Sequence, residues 1–384
     1  MAAKMLEKIK KILSSDTGSG ILLISATILA LVFANLAPLR EWYHSFVHFG
    51  VGHYNTHFVV NDILMAIFFF TIGLELKRER LEGQLSHFSQ IFLPCFAAIG
   101  GVVFPALIFA GLNFGDEFAI KGWAIPTATD IAFTIGVIAI LGKRVPFSLK
   151  IFVLTLAIMD DLYAILIIAF FYAGELNFMY LLLAGLCVGL LITVNKMGVN
   201  KKLPFILLII VLWYFVYRSG IHATIAGVVA GFCIPLHSKD GKSSMLMDFE
   251  HALQGFVNFF IMPIFAFVNA GITLIGLEPS YLVGSVPLGI MLGLFLGKQL
   301  GIFLFSLLAI KLNFAGLPEK ANWSQLYGVA ILCGIGFTMS LFVDALAYGG
   351  SDAFHQTDKL AVLLGSLISG VVGYFFMRIV GNKQ

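Results

Sequence analysis

The sequence predicts an all-α integral membrane protein of about twelve transmembrane helices, and three observations predict it. Hydrophobic residues make up 59% of the 384 and charged residues 12%, against about 25% charged in a soluble domain. A chain so apolar cannot cover a water-facing surface, so lipid must solvate it. Apolar stretches of about 20 residues, the length that crosses a bilayer core, recur along the whole chain. Lys and Arg concentrate in alternate loops, as helices oriented by cytoplasmic positive charge require.

The chain opens on a basic amphipathic stretch over residues 1–16, where Lys4, Lys8, Lys10 and Lys11 stand among Met5, Leu6, Ile9, Ile12 and Leu13. That pattern lies along a membrane surface. The apolar run from Ile21 to Leu36 lacks a small-residue cleavage site and reads as a retained first span, not a signal peptide. Spans are expected at 17–37, 60–80, 89–111, 119–141, 147–172, 177–195, 203–217, 220–236, 252–275, 286–310, 324–347 and 358–380. The seventh and eighth are short and divided only by Arg218 to Gly220, which leaves eleven or thirteen spans open.

Placing the N-terminus in the cytoplasm puts only Arg40, Lys121, Arg218 and Lys359 on the far side and Lys298 within a span; the rest of the 24 Lys and Arg fall on the cytoplasmic side. Both termini are therefore expected there. The longest external loop, 38–59, carries aromatic and β-branched residues around Gly50 and Gly52, compatible with a small β-hairpin or a plain loop. Cys95, Cys187, Cys233 and Cys333 sit singly in apolar runs and read as small buried side chains.

The informative charges are those at mid-span. Asp130, Asp160, Asp161 and Lys298 fall near the centres of three predicted spans. A charge at that depth costs about 2.5–3.5 kcal/mol, and such residues mark ion or proton paths. One Lys and one Asp would suffice for an ion pair that only fixes packing. Two further carboxylates leave an excess negative charge that needs a cation or protons. Neighbours on a helix point about 100° apart, so Asp160 and Asp161 can have separate tasks. One can pair with Lys298 while the other faces a water-filled cavity.

Two spans carry weak points in their hydrogen-bond ladders. Pro126 with Thr127, Ala128 and Thr129 precedes Asp130, and Gly334-Ile335-Gly336 precedes Thr338. Harmless kinks would look the same, but broken helices expose backbone dipoles at membrane depth, which is tolerated only around a protected cavity. Such a pair points to a transport site. Gly293, Gly297 and Gly301, and likewise Gly185/Gly189 and Gly227/Gly231, offer bare faces for close helix packing. At the cytoplasmic ends, Glu75, Lys77, Arg78, Glu79, Arg80 and Glu82 close the second span, and Asp248, Glu250 and His251 precede the ninth. They read as interfacial anchors or as a funnel that attracts cations and titrates near neutrality. His222 reads as a hydrogen-bonded structural histidine.

The segments Gly73-Leu-Glu-Leu-Lys-Arg-Glu79, Ala128-Thr-Asp-Ile-Ala-Phe133, Leu156-Ala-Ile-Met-Asp-Asp-Leu162, Ser219-Gly-Ile-His-Ala-Thr224, Gly297-Lys298 and Cys333-Gly-Ile-Gly-Phe-Thr-Met339 together resemble the bacterial NhaA-type sodium/proton antiporters. The resemblance runs over nearly the whole chain. It implies inverted repeats whose two broken helices cross at the midplane. It also implies a single transporter domain over 17–380 in the bacterial inner membrane, exchanging sodium, or lithium, for protons without a cofactor. By the resemblance Asp160 and Asp161 carry sodium or protons, Lys298 pairs with them, and Asp130 with Thr129 beside it balances the helix dipoles at the crossing. Glu75, Arg78, Glu79, Glu250 and His251 match a pH-responsive region, and the external loop would serve a homodimer. Tyr163 stands where a glycine is expected, Gln299 where a proline is, and Gln254 where a histidine is common; Asp344 adds an unfamiliar acid.

Rival readings fit less well. A proton-coupled symporter needs a richer polar or aromatic substrate pocket than these spans supply. An intramembrane aspartyl protease would use two facing aspartates, but its Gly-x-Gly-Asp signature is absent and Lys298 would disturb a shared-proton dyad. A passive cation channel differs from an antiporter in being unable to drive sodium uphill. No feature suggests nucleic-acid binding or enzymatic catalysis.

Overall fold

The computed structural model describes residues 16–52, 54–83, 85, 88–237, 244–349 and 351–381. The amphipathic stretch expected over 1–16 lies, Asp16 apart, outside them, as do Lys239, Lys242 and Lys383. The elements in chain order begin with α1 (Asp16–Asn35), α2 (Ala37–Val47) and the strands β1 (Gly50–Val51) and β2 (Tyr54–Asn55). There follow α3 (Thr56–Leu81), α4 (Phe88–Leu112), a 3-10 segment (Ala119–Thr127) leading to α5 (Ile131–Leu141), α6 (Phe147–Phe171), α7 (Phe178–Met197), α8 (Lys202–Arg218) and α9 (Thr224–Cys233). The last are α10 (Met245–Asn269), α11 (Ser285–Lys311), α12 (Trp323–Leu332), α13 (Phe337–Tyr348) and α14 (Thr357–Val380).

Among the described residues nine helical spans are long and apolar enough to cross a membrane, and ten if α12 and α13, bent by 48°, count as one. The two other expected spans are α8, with 17 residues, and α9, with 10; these are the pair the sequence marks as short. Outward faces are apolar. On α7, Leu182, Leu186 and Leu190 are exposed at four-residue spacing while Ala184, Cys187 and Leu191 are buried. In water that stripe would be a liability; in lipid it is the solvated face. The protein is a multi-pass membrane protein.

The largest boundary difference from expectation is the start of one span. α10 starts at Met245 and not near 252, because the Ser244 hydroxyl caps it by accepting the Met247 N–H at 3.2 Å. Asp248, Glu250 and His251 therefore lie on its first turns and not ahead of it. Charged first turns hid the start from a reading based on apolar runs. In the segment between α2 and α3, β1 pairs antiparallel with β2. The Asn55 side chain then caps the following helix by accepting the Phe58 N–H at 2.9 Å.

The chain divides into two compact units, residues through Glu41 with His87–Ala164 and Asn269 onward, and Trp42–Ser86 with Ile165–Val268. The first is organised on α4 against α11. A Cβ placed on Gly301 would lie 2.0 Å from the Gly100 carbonyl oxygen, so only glycine permits this backbone approach. The second packs α3 against α9 in the same way, with Gly227 over the Ala66 carbonyl, beside a core that includes Phe70, Leu74, Phe205 and Leu212. Gly185 and Gly189, by contrast, face open space.

Candidate functional site

Both interruptions anticipated from sequence are present in the first unit, and they meet. Pro126 ends the 3-10 segment; Ala128 and Asp130 are extended before α5 begins. Residues 333–336 break α12 from α13. The Tyr348 hydroxyl donates to the Ala119 carbonyl (2.8 Å), Ser340 donates to the Ile125 carbonyl (2.7 Å), and the Asp130 N–H donates to the Ile335 carbonyl (2.7 Å). Partners rise on one interrupted helix as they fall on the other, so the two run antiparallel with their breaks side by side. Gly336 allows the closeness: a Cβ there would lie 3.1 Å from the Ala128 carbonyl oxygen and 2.2 Å from Ser340 Oγ.

A helix start leaves N–H groups without partners, and here two starts point into a buried place. Asp130 serves both. Its Oδ1 accepts the Phe133 N–H of α5 at 2.9 Å, and its Oδ2 accepts the Thr338 N–H of α13 at 3.2 Å together with the Thr338 hydroxyl. Ser366 on α14 accepts the remaining N–H groups of Gly336 (3.2 Å) and Phe337 (3.0 Å). A carboxylate is favoured where two positive helix ends converge, and Asp130 is buried. Its position at the junction of two helix starts follows from local capping chemistry.

Beside the junction lies a second buried arrangement. Lys298 Nζ donates to Asp160 Oδ2 at 2.5 Å, and Lys298 is 0% exposed. The Thr129 hydroxyl stands 2.7 Å from the same oxygen and 2.9 Å from the Cys333 carbonyl oxygen, so its one proton serves either acceptor. Thr129 thus attaches to the aspartate pair's helix, while its neighbour Asp130 holds the helix ends. Asp160 Oδ1 is buried and accepts no hydrogen bond. Asp161, next on α6, is 5% exposed. Gly101 on α4 leaves room at the ammonium, since a Cβ there would sit 3.4 Å from Lys298 Nζ.

The site therefore collects Asp160, Lys298 and Thr129, with Asp161 buried on the same helix and Asp130 at the adjoining junction. Sequence reasoning missed Tyr327. Lys298 follows a π-helical turn over Gly293–Gly297, which disturbs the regular bonding of the preceding carbonyls. Gln299 repairs this: its Nε2 donates to the Phe295 carbonyl at 2.6 Å while its Oε1 accepts the Tyr327 hydroxyl at 2.7 Å. The departure from the expected proline thus ties the lysine's helix to α12. Tyr163, the other departure near the aspartates, lies 3.0 Å from Cys95 Sγ. Only the paired π-turn and Tyr327, not the sequence of either segment, reveal the first link.

The charged group of the second unit is also assembled in part. Arg78 Nη1 lies 2.7 Å from Glu79 Oε1, and Arg78 Nε lies 2.9 Å from Glu250 Oε2. Glu75 lies within electrostatic range of all three. Lys77 Nζ donates to the Phe232 carbonyl at 2.9 Å and to that of Ile234, capping the end of α9. His251 is exposed and stands outside this network among the described residues.

The family model described as Na+/H+ antiporter 1 matches residues 10–377. A relative from Campylobacter hominis, named Na(+)/H(+) antiporter NhaA 1, is 61% identical over 98% of this chain and 96% of its own length. One from a Sulfurovum species, named Na(+)/H(+) antiporter NhaA, is 50% identical over 99% of both chains. Another of that name from Pelagibacter ubique is 46% identical over 96% of both. With antiparallel interrupted helices meeting beside a buried aspartate–lysine pair, and a match of this extent, the chain belongs to the Na+/H+ antiporter 1 family.

Proposed function

We propose that this protein is a secondary active transporter that exchanges sodium for protons across the bacterial inner membrane, with Asp160 and Asp161 loaded alternately by cation and proton. The observation that carries the reading is the buried, donor-free Oδ1 of Asp160 beside a lysine already engaged by Oδ2. Lys298 engages Oδ2 of Asp160, and the bare Oδ1 is an acceptor that a small hard cation or a proton can meet. Sodium takes oxygen ligands and binds well only to a carboxylate that has lost its proton. Exchange follows if the two ions never share the site and only loaded sites cross. Thr129 supplies a hydroxyl at the same oxygen, and Asp130 holds the two helix starts in place. Lithium, smaller but of the same chemistry, is the second substrate by that logic.

Glu75, Arg78, Glu79, Glu250 and His251 are proposed to set the pH response, on the strength of the Arg78 ion pairs and of family membership. Cytoplasmic termini follow from the distribution of Lys and Arg, and a homodimer from the resemblance alone. The test uses everted vesicles. Asp161→Asn should abolish sodium-induced proton release, because a neutral amide cannot balance a cation in a low-dielectric cavity. Wild-type release at saturating sodium would overturn the assignment. Sodium accumulation against its gradient, driven by a proton gradient, separates exchange from passive conduction.

A further inference from the structure

We propose that, given an exchange site at Asp160, Gln299 and Tyr327 are positioning residues for Lys298. Their hydrogen bond tethers the π-helical turn ahead of the lysine, and with it the direction in which the ammonium meets Asp160. Lys298 is the first residue after that turn, Gly293–Gly297. A π-turn closes its hydrogen bonds one residue later than an α-turn. Were it to relax to α, the residues after it would rotate by about one residue step, 100°, against those before it. Lys298 would then leave the face on which Asp160 lies. The turn does not lock itself. A Cβ on Gly293 would come 2.6 Å from Pro126 Cβ, and one on Gly297 2.7 Å from Pro105 Cα. The two glycines allow that close approach but bring no side chain to oppose rotation.

Gln299 supplies the lock. It follows Lys298 directly, so the two side chains leave the helix about 100° apart. One is anchored on α6, where Lys298 Nζ meets Asp160 Oδ2 at 2.5 Å. The other is anchored on α12, where Gln299 Oε1 accepts the Tyr327 hydroxyl at 2.7 Å. Its Nε2 meanwhile donates to the Phe295 carbonyl, inside the turn, at 2.6 Å. Gln299 is 3% exposed. In so dry a place an amide met at both ends keeps one orientation, because turning it strands polar groups. Tyr327 is itself braced. Its ring stands edge-on to Phe303 of α11, 5.2 Å between centroids, and to Phe376 of α14, 5.6 Å. An apolar pair would fill the same space and leave the turn free to rotate. The carboxylates gathered at the site are Asp160 and Asp161 on α6 and Asp130 at the junction. α4, which faces the ammonium at Gly101, and α12 carry no Asp, Glu, Lys or Arg.

Lys298 is a cation already at Asp160, so it competes with any ion that binds there. A loosened lysine competes less, and the carboxylate then holds sodium and protons both more tightly. Calorimetric titration of the purified protein with sodium chloride across pH reads this. Tyr327→Phe keeps the braced ring and deletes the hydroxyl. It should tighten sodium affinity on the alkaline plateau by up to about fivefold, the worth of one hydrogen bond, and raise the pH at which affinity levels off. Gln299→Met should do the same. Adding Tyr327→Phe to it should change nothing more, since the hydroxyl acts only through the amide. A role in packing alone would lower the fraction of protein that binds while leaving affinity and the levelling-off pH in place. An affinity that is unmoved or weakened, or two substitutions whose effects simply add, overturns the proposal. Asp160→Asn separates the tether from the site. If sodium binds that variant as it binds the wild type, both fall together. If binding needs Asp160 and Tyr327→Phe leaves its pH dependence unmoved, the tether alone falls. Should Gln299→Met fail to fold, Tyr327→Phe decides.

Discussion

Asp130 and Asp160 are both buried aspartates of one compact unit, and their surroundings differ in kind. Asp130 caps two helices and has donors on both oxygens. Asp160 shares a single oxygen between Lys298 and Thr129 and leaves the other bare. A carboxylate whose lone pairs are met by fixed N–H groups is part of the frame. One left partly unmet is available to a mobile ion. Both are buried, so hydrogen-bond satisfaction is what distinguishes their surroundings.

The sharpest way to break this comparison is to neutralise each in turn. Asp160→Asn should abolish exchange in everted vesicles, whereas Asp130→Asn, which keeps one accepting oxygen, should retain measurable exchange. Equal loss from both would dissolve the distinction. Next in size is the ion pair. Lys298→Met strands Asp160 in the interior and should cost about 3–5 kcal/mol of stability, as the breaking of buried pairs does. Adding Asp160→Asn should restore most of it, because no unpaired charge then remains. Thermal unfolding of the solubilised protein measures both.

Asp130→Ala removes two caps and should cost about 2 kcal/mol, with no rescue from any change at Lys298. Sodium affinity sharpens the contrast from the other side. If sodium displaces protons from the aspartate pair, apparent affinity should tighten about tenfold per pH unit for each proton displaced, about 1.4 kcal/mol. It should level off once the coupled group is deprotonated. Calorimetry over about pH 5–9, the span across which protons and sodium are expected to trade places, reads this directly. A flat affinity would move the whole pH response to the group around Arg78. Smallest is Tyr327→Phe, which deletes one hydrogen bond to Gln299 and should cost about 1 kcal/mol while shifting the pH profile of exchange. A stability loss with an unmoved profile would make the Gln299–Tyr327 link packing only.

Much of this protein is determined by its sequence alone. Apolar run length fixes the spans because a bilayer core has one thickness. Pro126 and Gly334-Ile335-Gly336 mark both interruptions because each disturbs a local ladder of hydrogen bonds. Mid-span charges announce the site because lipid makes them costly. The start of α10 escaped because its charged first turns lie on the polar side of an amphipathic helix, where run length carries no signal.

Only the tertiary structure decided which groups answer one another. That Lys298 meets Asp160, that Thr129 turns to Asp160 while Asp130 turns to α13, and that Ser366 and Tyr327 complete the frame are choices among partners far apart in the chain. The sequence states that a buried charge must be satisfied. Which donor satisfies it depends on backbones brought to within hydrogen-bond reach, and that distance is set by the packing of whole helices.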